Sequence, residues 1–254
     1  METKPASDRG ASYDPSAPSA ASSTPPEKSS IVEDFIDIFY APSSVFARRE
    51  KSGFGVHLLI ITLISALFAF ASHSVFSQIF DAEFARGMAK AMAKNPRLTT
   101  DMVSSMRPMQ EKIASAFVYA GAPLAIFFTA IFVWLAAKVV SAKITFGQAA
   151  LITTLAWIPR LVGGLIGVLQ VVLMDTSNFT NRYSLSASPA KFMDPDATNP
   201  KLFGLLGSLD LFAIWFTILI GIGIAVVGKA PRNKGYIAAV LVFVLGTLIS
   251  VAFV

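Results

Sequence analysis

The sequence of 254 residues contains no cysteine and only two histidines. The first absence excludes disulfide frameworks, thiolate metal sites and cysteine nucleophiles; the second leaves little imidazole for acid–base or metal chemistry. Charge is scarce as well. Asp, Glu, Lys and Arg make up 15% of the chain against 54% hydrophobic residues, and mean hydropathy is +0.61. A water-facing surface cannot be assembled from that remainder, so the composition selects a lipid bilayer as solvent. In that solvent the net charge of +5 is first an orientation signal, and nucleic acid is not expected as a partner.

A hydrocarbon core about 30 Å thick needs roughly 20 apolar residues of helix. Five stretches meet that need, about 55–77, 113–138, 147–174, 205–228 and 235–254, the third containing Arg160 and the fourth Asp210 near its start. The expected class is therefore an all-α polytopic membrane protein with five transmembrane helices and short interfacial helices, occupying residues 30–254. Residues 1–29 lack the apolar core of a signal peptide and are rich in Pro, Ser and Ala, the composition of a disordered tail. Ser30 and Glu33 have capping-box spacing ahead of Ile31, Phe35 and Ile38, which share one helical face. This pattern predicts a short helix at the membrane surface that ends before Pro42.

Basic residues set the orientation, because short cytoplasmic loops are enriched in them. Arg48, Arg49 and Lys51 precede the first span, Lys138 and Lys143 sit in the second loop, and Lys229, Arg232 and Lys234 crowd the fourth. The opposing loops, about 81–112 and 175–204, hold nine basic residues against these eight, but dilute them among seven acids. Density thus predicts a cytoplasmic N-terminus and a C-terminus outside.

Several segments resemble the Yip-one domain family of polytopic membrane proteins. Asp37-Ile38-Phe39-Tyr40-Ala41-Pro42 is similar to that family's Asp-Leu-Tyr-Gly-Pro opening motif, with Asp37, Tyr40 and Pro42 as its marks. Phe146-Gly147-Gln148 through Trp157-Ile158-Pro159 resembles its third span, and the segment from Leu209 to Trp215 resembles the fourth-span opening of bacterial members. The resemblance covers roughly residues 31 to 254. It implies a helical membrane domain without known catalysis, whose eukaryotic relatives interact with Rab-type GTPases in vesicle traffic. Aligned on Tyr40 and Pro42, Ile38 stands at the acidic position and Ala41 at the glycine, which weakens the GTPase carry-over. The bacterial branch, in an inner membrane, is the expectation.

Few residues inside the spans could carry chemistry. Arg160 at mid-bilayer costs at least about 2.5–3.5 kcal/mol and must be compensated, either in an anion or lipid-headgroup site or by snorkelling and pairing for structure alone. Asp210 is the obvious partner, but helix rise separates the two by about 10 Å, so no direct salt bridge is expected unless Pro159 breaks the helix. Asp210 reads more readily as an interfacial cap than as a proton relay. His57 and His73 lie near opposite ends of the first span with no acid at metal-site spacing, so no metal and no cofactor are expected. Gly163, Gly164 and Gly167, and separately Gly221 with Ala225, supply small faces for close helix packing. Pro123 and Pro159 are candidate helix kinks. In the loop 81–112, Phe84, Met88 and Met92 and then Met102, Met106, Met109 and Ile113 predict two short amphipathic helices that cap the bundle or meet a partner. Asn178-Phe179-Thr180 is a glycosylation sequon that matters only in a eukaryotic secretory membrane.

Catalytic residues are accordingly not assigned. The first expectation is a non-enzymatic protein that organises membrane or recruits partners, the candidates being lipid, another membrane protein or a second copy. The alternative is a small transporter or lipid-handling protein built on Arg160 and proline-bent helices. A polar cavity reaching Arg160 from one face would favour the alternative, and a dry, packed surround would count against it.

Overall fold

The computed structural model describes residues 30–252, so the tail expected at 1–29 lies outside the described residues. Among the described residues ten α-helices follow one another: α1 (Ile31–Asp37), α2 (Pro42–Arg49), α3 (Gly55–Ala71), α4 (His73–Lys94), α5 (Thr100–Val139), α6 (Phe146–Ala156), α7 (Ile158–Leu173), α8 (Pro200–Ser208), α9 (Leu211–Val227) and α10 (Arg232–Ala252). Two short 3-10 turns lie between α7 and α8, and no strand occurs among the described residues. Among the described residues three helices are long and apolar enough to cross a bilayer: α5, the run Phe146–Leu173 formed by α6 and α7, and α10. The number reaches five when the pairs α3–α4, bent by 74°, and α8–α9, bent by 56°, each count as one span. Leu59, Leu63 and Leu67 of α3 and Val240, Val244 and Leu248 of α10 are exposed along their helices, a surface suited to lipid rather than water. The protein is an all-helical polytopic membrane protein.

The bends redraw several boundaries. The first span stops at Ala71, and residues 73–77 open α4 instead, where Val75 and Ile79 are buried against Phe179. Hydropathy averaged along the chain runs through Ser72 and cannot register a turn there. The fourth stretch divides at residues 209–210: residues 205–208 end α8, and Asp210 starts α9 by accepting hydrogen bonds from the backbone N–H of Phe212 and Ala213 at 2.9 and 3.1 Å. The methionine segment is not two short helices. Phe84, Met88 and Met92 lie on the 22-residue α4, whereas Met102, Met106 and Met109 belong to the exposed first turns of α5, continuous with the second span. Thr99 caps that 40-residue helix, which continues through Pro108 and Pro123 for about 60 Å.

The N-terminal surface helix is also only half of an element. After α1 the chain turns at residues 38–41, Pro42 opens α2 at a position where its missing N–H is harmless, and α2 buries Val45 and Phe46 completely. Gly223 of α9 makes room for this docking, since a Cβ there would lie 2.6 Å from Ile152 and 3.1 Å from the Phe46 ring.

Two helices of the bundle stop at the same end in the same way. After α5, Ser141 is left-handed (φ 61°), with Ala142 N–H donating to the Ala137 carbonyl at 2.8 Å; after α9, Lys229 is left-handed (φ 49°), with Ala230 N–H donating to the Ala225 carbonyl at 2.9 Å. Both are Schellman stops that satisfy otherwise orphaned carbonyls. A Cβ on Gly228 would touch Ala142 and Ile144 at 3.2 Å, and Lys229 lies 3.5 Å from Glu50, so the three basic segments meet at one end of the bundle. On α9, Gly221 and Ala225 face Gly235 and Tyr236 of α10; a Cβ on Gly221 would lie 2.6 Å from the Tyr236 ring. Contact this close supplies dispersion energy that lipid, itself apolar, cannot replace.

Candidate functional site

Two polar constellations stand out in a chain with so few charges. One joins the N-terminal hairpin to the first span. Asp34 of α1 is fully buried, accepting from Arg48 Nε at 2.9 Å, Arg49 Nε at 2.7 Å and His57 Nε2 at 2.8 Å, while Arg48 Nη1 also donates to Asp37 at 2.7 Å. The buried Nδ1 of His57 has no hydrogen-bond partner among the described residues. Burial acts to lower the Arg48 pKa, but hydrogen bonds to Asp37 and Asp34, and their charges, outweigh it and hold that guanidinium above its ordinary value. This cluster is a clasp: hairpin and span are held by charge-assisted bonds within low-dielectric surroundings.

The other constellation surrounds Arg160. The helix that begins at Phe146 is capped by a box, Thr145 Oγ1 accepting from Gln148 N–H and the Gln148 side chain accepting from Thr145 N–H, and it breaks at Trp157. Pro159 sits in the first turn of α7, and Arg160 N–H donates instead to the Trp157 carbonyl at 2.9 Å. The break aims the guanidinium between two rings, 4.9 Å from the Trp157 centroid and 4.8 Å from that of Phe216, which are themselves edge-to-face at 5.7 Å. Its Nε is buried with no hydrogen-bond partner, and no carboxylate among the described residues lies within 4.0 Å. The Leu155 carbonyl, a potential acceptor freed by Pro159, is not engaged by it.

Arg160 borders a cavity of about 1360 Å³ between α3, α7, the 182–192 loop and the α8–α9 bend. Phe68, Phe76, Ile79, Leu185 and Phe212 form apolar walls, and Arg182 and Lys191 add positive charge away from Arg160. Lys191 Nζ donates to Gln170 Oε1, ten residues and about 15 Å along the helix from Arg160. Asp210 lines the same cavity, but its carboxylate accepts from three backbone N–H groups, those of Phe212, Ala213 and, at 2.7 Å, Ala187. Gly163 and Gly164 shape the wall, where a Cβ would strike the rings of Phe212 at 2.7 Å and Phe68 at 2.8 Å; Gly167 faces Leu185 at 3.9 Å.

Compared with models of protein families, residues 36–254 match that of the Yip1 domain. The chain belongs to the Yip1 domain family. Compared with curated proteins and with solved structures, it matches none. The Yip1 domain here starts within α1 and covers every helix from α2 onward. Of the opening motif, Asp37 binds Arg48, Tyr40 is exposed and Pro42 starts α2, so the motif forms the turn of the clasped hairpin. The Phe146–Gln148 segment is the capped start of α6, and Trp157–Pro159 is the break that presents Arg160.

Asp34, Arg182 and Lys191 are the site residues that sequence reasoning missed. The charges at Asp34 and Asp37 share a helical face, but nothing local ties them to Arg48, Arg49 and His57. His73, by contrast, lies on α4 beside a cavity of about 40 Å³ with Glu111 and Tyr119, away from His57. Among the described residues no three His, Asp or Glu side chains are grouped to hold a metal.

Proposed function

We propose that this Yip1-domain membrane protein is a non-enzymatic lipid-binding protein of a bacterial inner membrane, anchoring the anionic headgroup of a membrane amphiphile at Arg160. The observation that carries the reading is an unpaired guanidinium bordering a large apolar cavity at mid-span. Two aromatic faces offset part of the insertion cost, at about 0.5–2 kcal/mol each, yet they leave the buried Nε without an acceptor, and Asp210, whose charge acts on Arg160, lies beyond ion-pair distance. An anionic ligand supplies both counter-charge and acceptor. The cavity volume exceeds the roughly 300–1,000 Å³ typical of small-molecule pockets, and its walls suit chains rather than a polar solute.

Binding is favoured over passage across the membrane, because α6 is buried on all sides over residues 149–156 and closes the half of the span nearer the hairpin. The basic segments gathered at that end support its placement in the cytoplasm. Recruitment of partners through the tail rests on residues outside the described range, and the surface helix assigned to it is docked.

Arg160→Leu and Arg160→Gln test the proposal. Both variants are expected to fold with thermal stability equal to or above that of the parent, since an uncompensated intramembrane charge is removed, while co-purified anionic lipid falls about tenfold or more by quantitative mass spectrometry. Unchanged lipid content in folded variants would leave Arg160 a structural residue.

A further inference from the structure

A second cavity, about 380 Å³, lies behind Arg160 between α5, α9 and α10. It shares with the larger one only Arg160, Gly207 and Asp210, so the two chambers adjoin at the guanidinium. We infer that they form one bipartite site for a phosphodiester lipid with an uncharged polyol headgroup: the chains in the large chamber, the phosphate on Arg160 and the headgroup hydroxyls in the small chamber. This inference rests on the lipid-binding reading of Arg160 and adds the identity of the headgroup.

The lining of the small chamber carries the argument. Its charged residues are Arg160 and Asp210 alone, and Asp210 is already engaged by three backbone donors. The remaining polar side chains are hydroxyls, set in a wall that is otherwise apolar, with Phe128, Phe132, Ile220 and Phe243 among its residues. Those of Thr129, Thr247 and Ser250 have no hydrogen-bond partner among the described residues, while Thr217 and Ser208 donate to the Ala213 and Leu205 carbonyls and keep their oxygens free as acceptors. Hydroxyls both donate and accept, which matches the hydroxyls of a polyol. Arg160 is the one cation that lines both chambers, Arg182 and Lys191 lining the large one alone, and at their junction it balances one negative charge, as a phosphodiester carries. A phosphomonoester, with about −1.5 to −2 at neutral pH, would leave charge unpaired. An ammonium headgroup would meet the Arg160 charge and no free carboxylate. Size sorts the two ends, since the chamber of about 380 Å³ is near the lower bound of small-molecule pockets, room for a headgroup, and the larger one accommodates chains.

The test uses the full chain in detergent, titrated with dioleoyl phosphatidylglycerol, phosphatidic acid and phosphatidylethanolamine and read by native mass spectrometry. Phosphatidylglycerol is expected to bind about tenfold more tightly than either of the others, a difference of ~1.4 kcal/mol. Thr129→Val with Thr217→Val should erase that preference while retaining binding of anionic lipid, and Thr247→Val provides the same readout if the double variant fails to fold. Equal affinity for the three lipids, or a preference unchanged by the valines, would overturn the headgroup assignment and leave the Arg160 reading standing. Retention of all lipids by folded Arg160→Gln would overturn both. Glycerophosphoglycerol, the same diester without chains, is expected not to compete at equal concentration; competition would assign the site to a water-soluble diester instead of a lipid.

Discussion

Asp34 shows how strongly a single residue can depend on partners remote in sequence. Its carboxylate is fully buried, and its three cationic or imidazole partners lie 14, 15 and 23 residues away. Removing it strips Arg48, Arg49 and His57 of a shared buried acceptor, so Asp34→Ala is expected to destabilise the protein by about 3–5 kcal/mol. Asp37, with a single ion pair and a partly exposed side chain, should cost under about 1 kcal/mol when replaced by alanine. Unfolding of the two variants side by side in mild detergent checks this; equal losses would show that the buried clasp contributes nothing beyond a surface pair. In the sequence His57 stands as an isolated imidazole, because its acid lies on another helix. Arg160 was legible for the opposite reason: a lone cation within an apolar run is conspicuous in one dimension, although its aromatic clamp depends on α9 bringing Phe216 against Trp157.

At the scale of elements, termini were readable where their signals are local. Thr145 and Gln148 stand at capping-box spacing, and Asp210 precedes an apolar run, so both helix starts follow from neighbouring residues. Bends were not readable, because the turn at Ser72 and the division before Asp210 are decided by what the next helix can bury. The stops after α5 and α9 provide a quantitative test. Ser141 adopts a left-handed conformation that costs an L-residue roughly 1–2 kcal/mol, so Ser141→Gly is expected to raise stability by about 1 kcal/mol, seen as a higher thermal midpoint. A lower midpoint would mean that the serine side chain compensates for the strain. Gly228, one residue before the other left-handed position, serves close approach rather than backbone freedom: a Cβ would lie 2.6 Å from the Ile224 carbonyl oxygen.

Over the whole molecule, the clustering of Glu50, Ala142, Ile144 and Lys229 at one end makes the topology testable. The chain lacks cysteine, so single cysteines replacing Lys51, Lys143 or Lys234 can be labelled without background. All three are expected to react from the cytoplasmic face, and Ser177→Cys or Lys201→Cys from the opposite face; labelling of Lys51→Cys and Lys143→Cys from opposite faces would break the five-span count. Solvation is nearly additive along a chain, since each residue contributes its own transfer free energy, and for that reason composition and hydropathy alone determined that this protein is helical and resides in a membrane. Packing is not additive. The buried clasp at Asp34, the docking of α2 on α9 and the two chambers meeting at Arg160 depend on the directions in which three bends send their helices, so only the tertiary structure decided them.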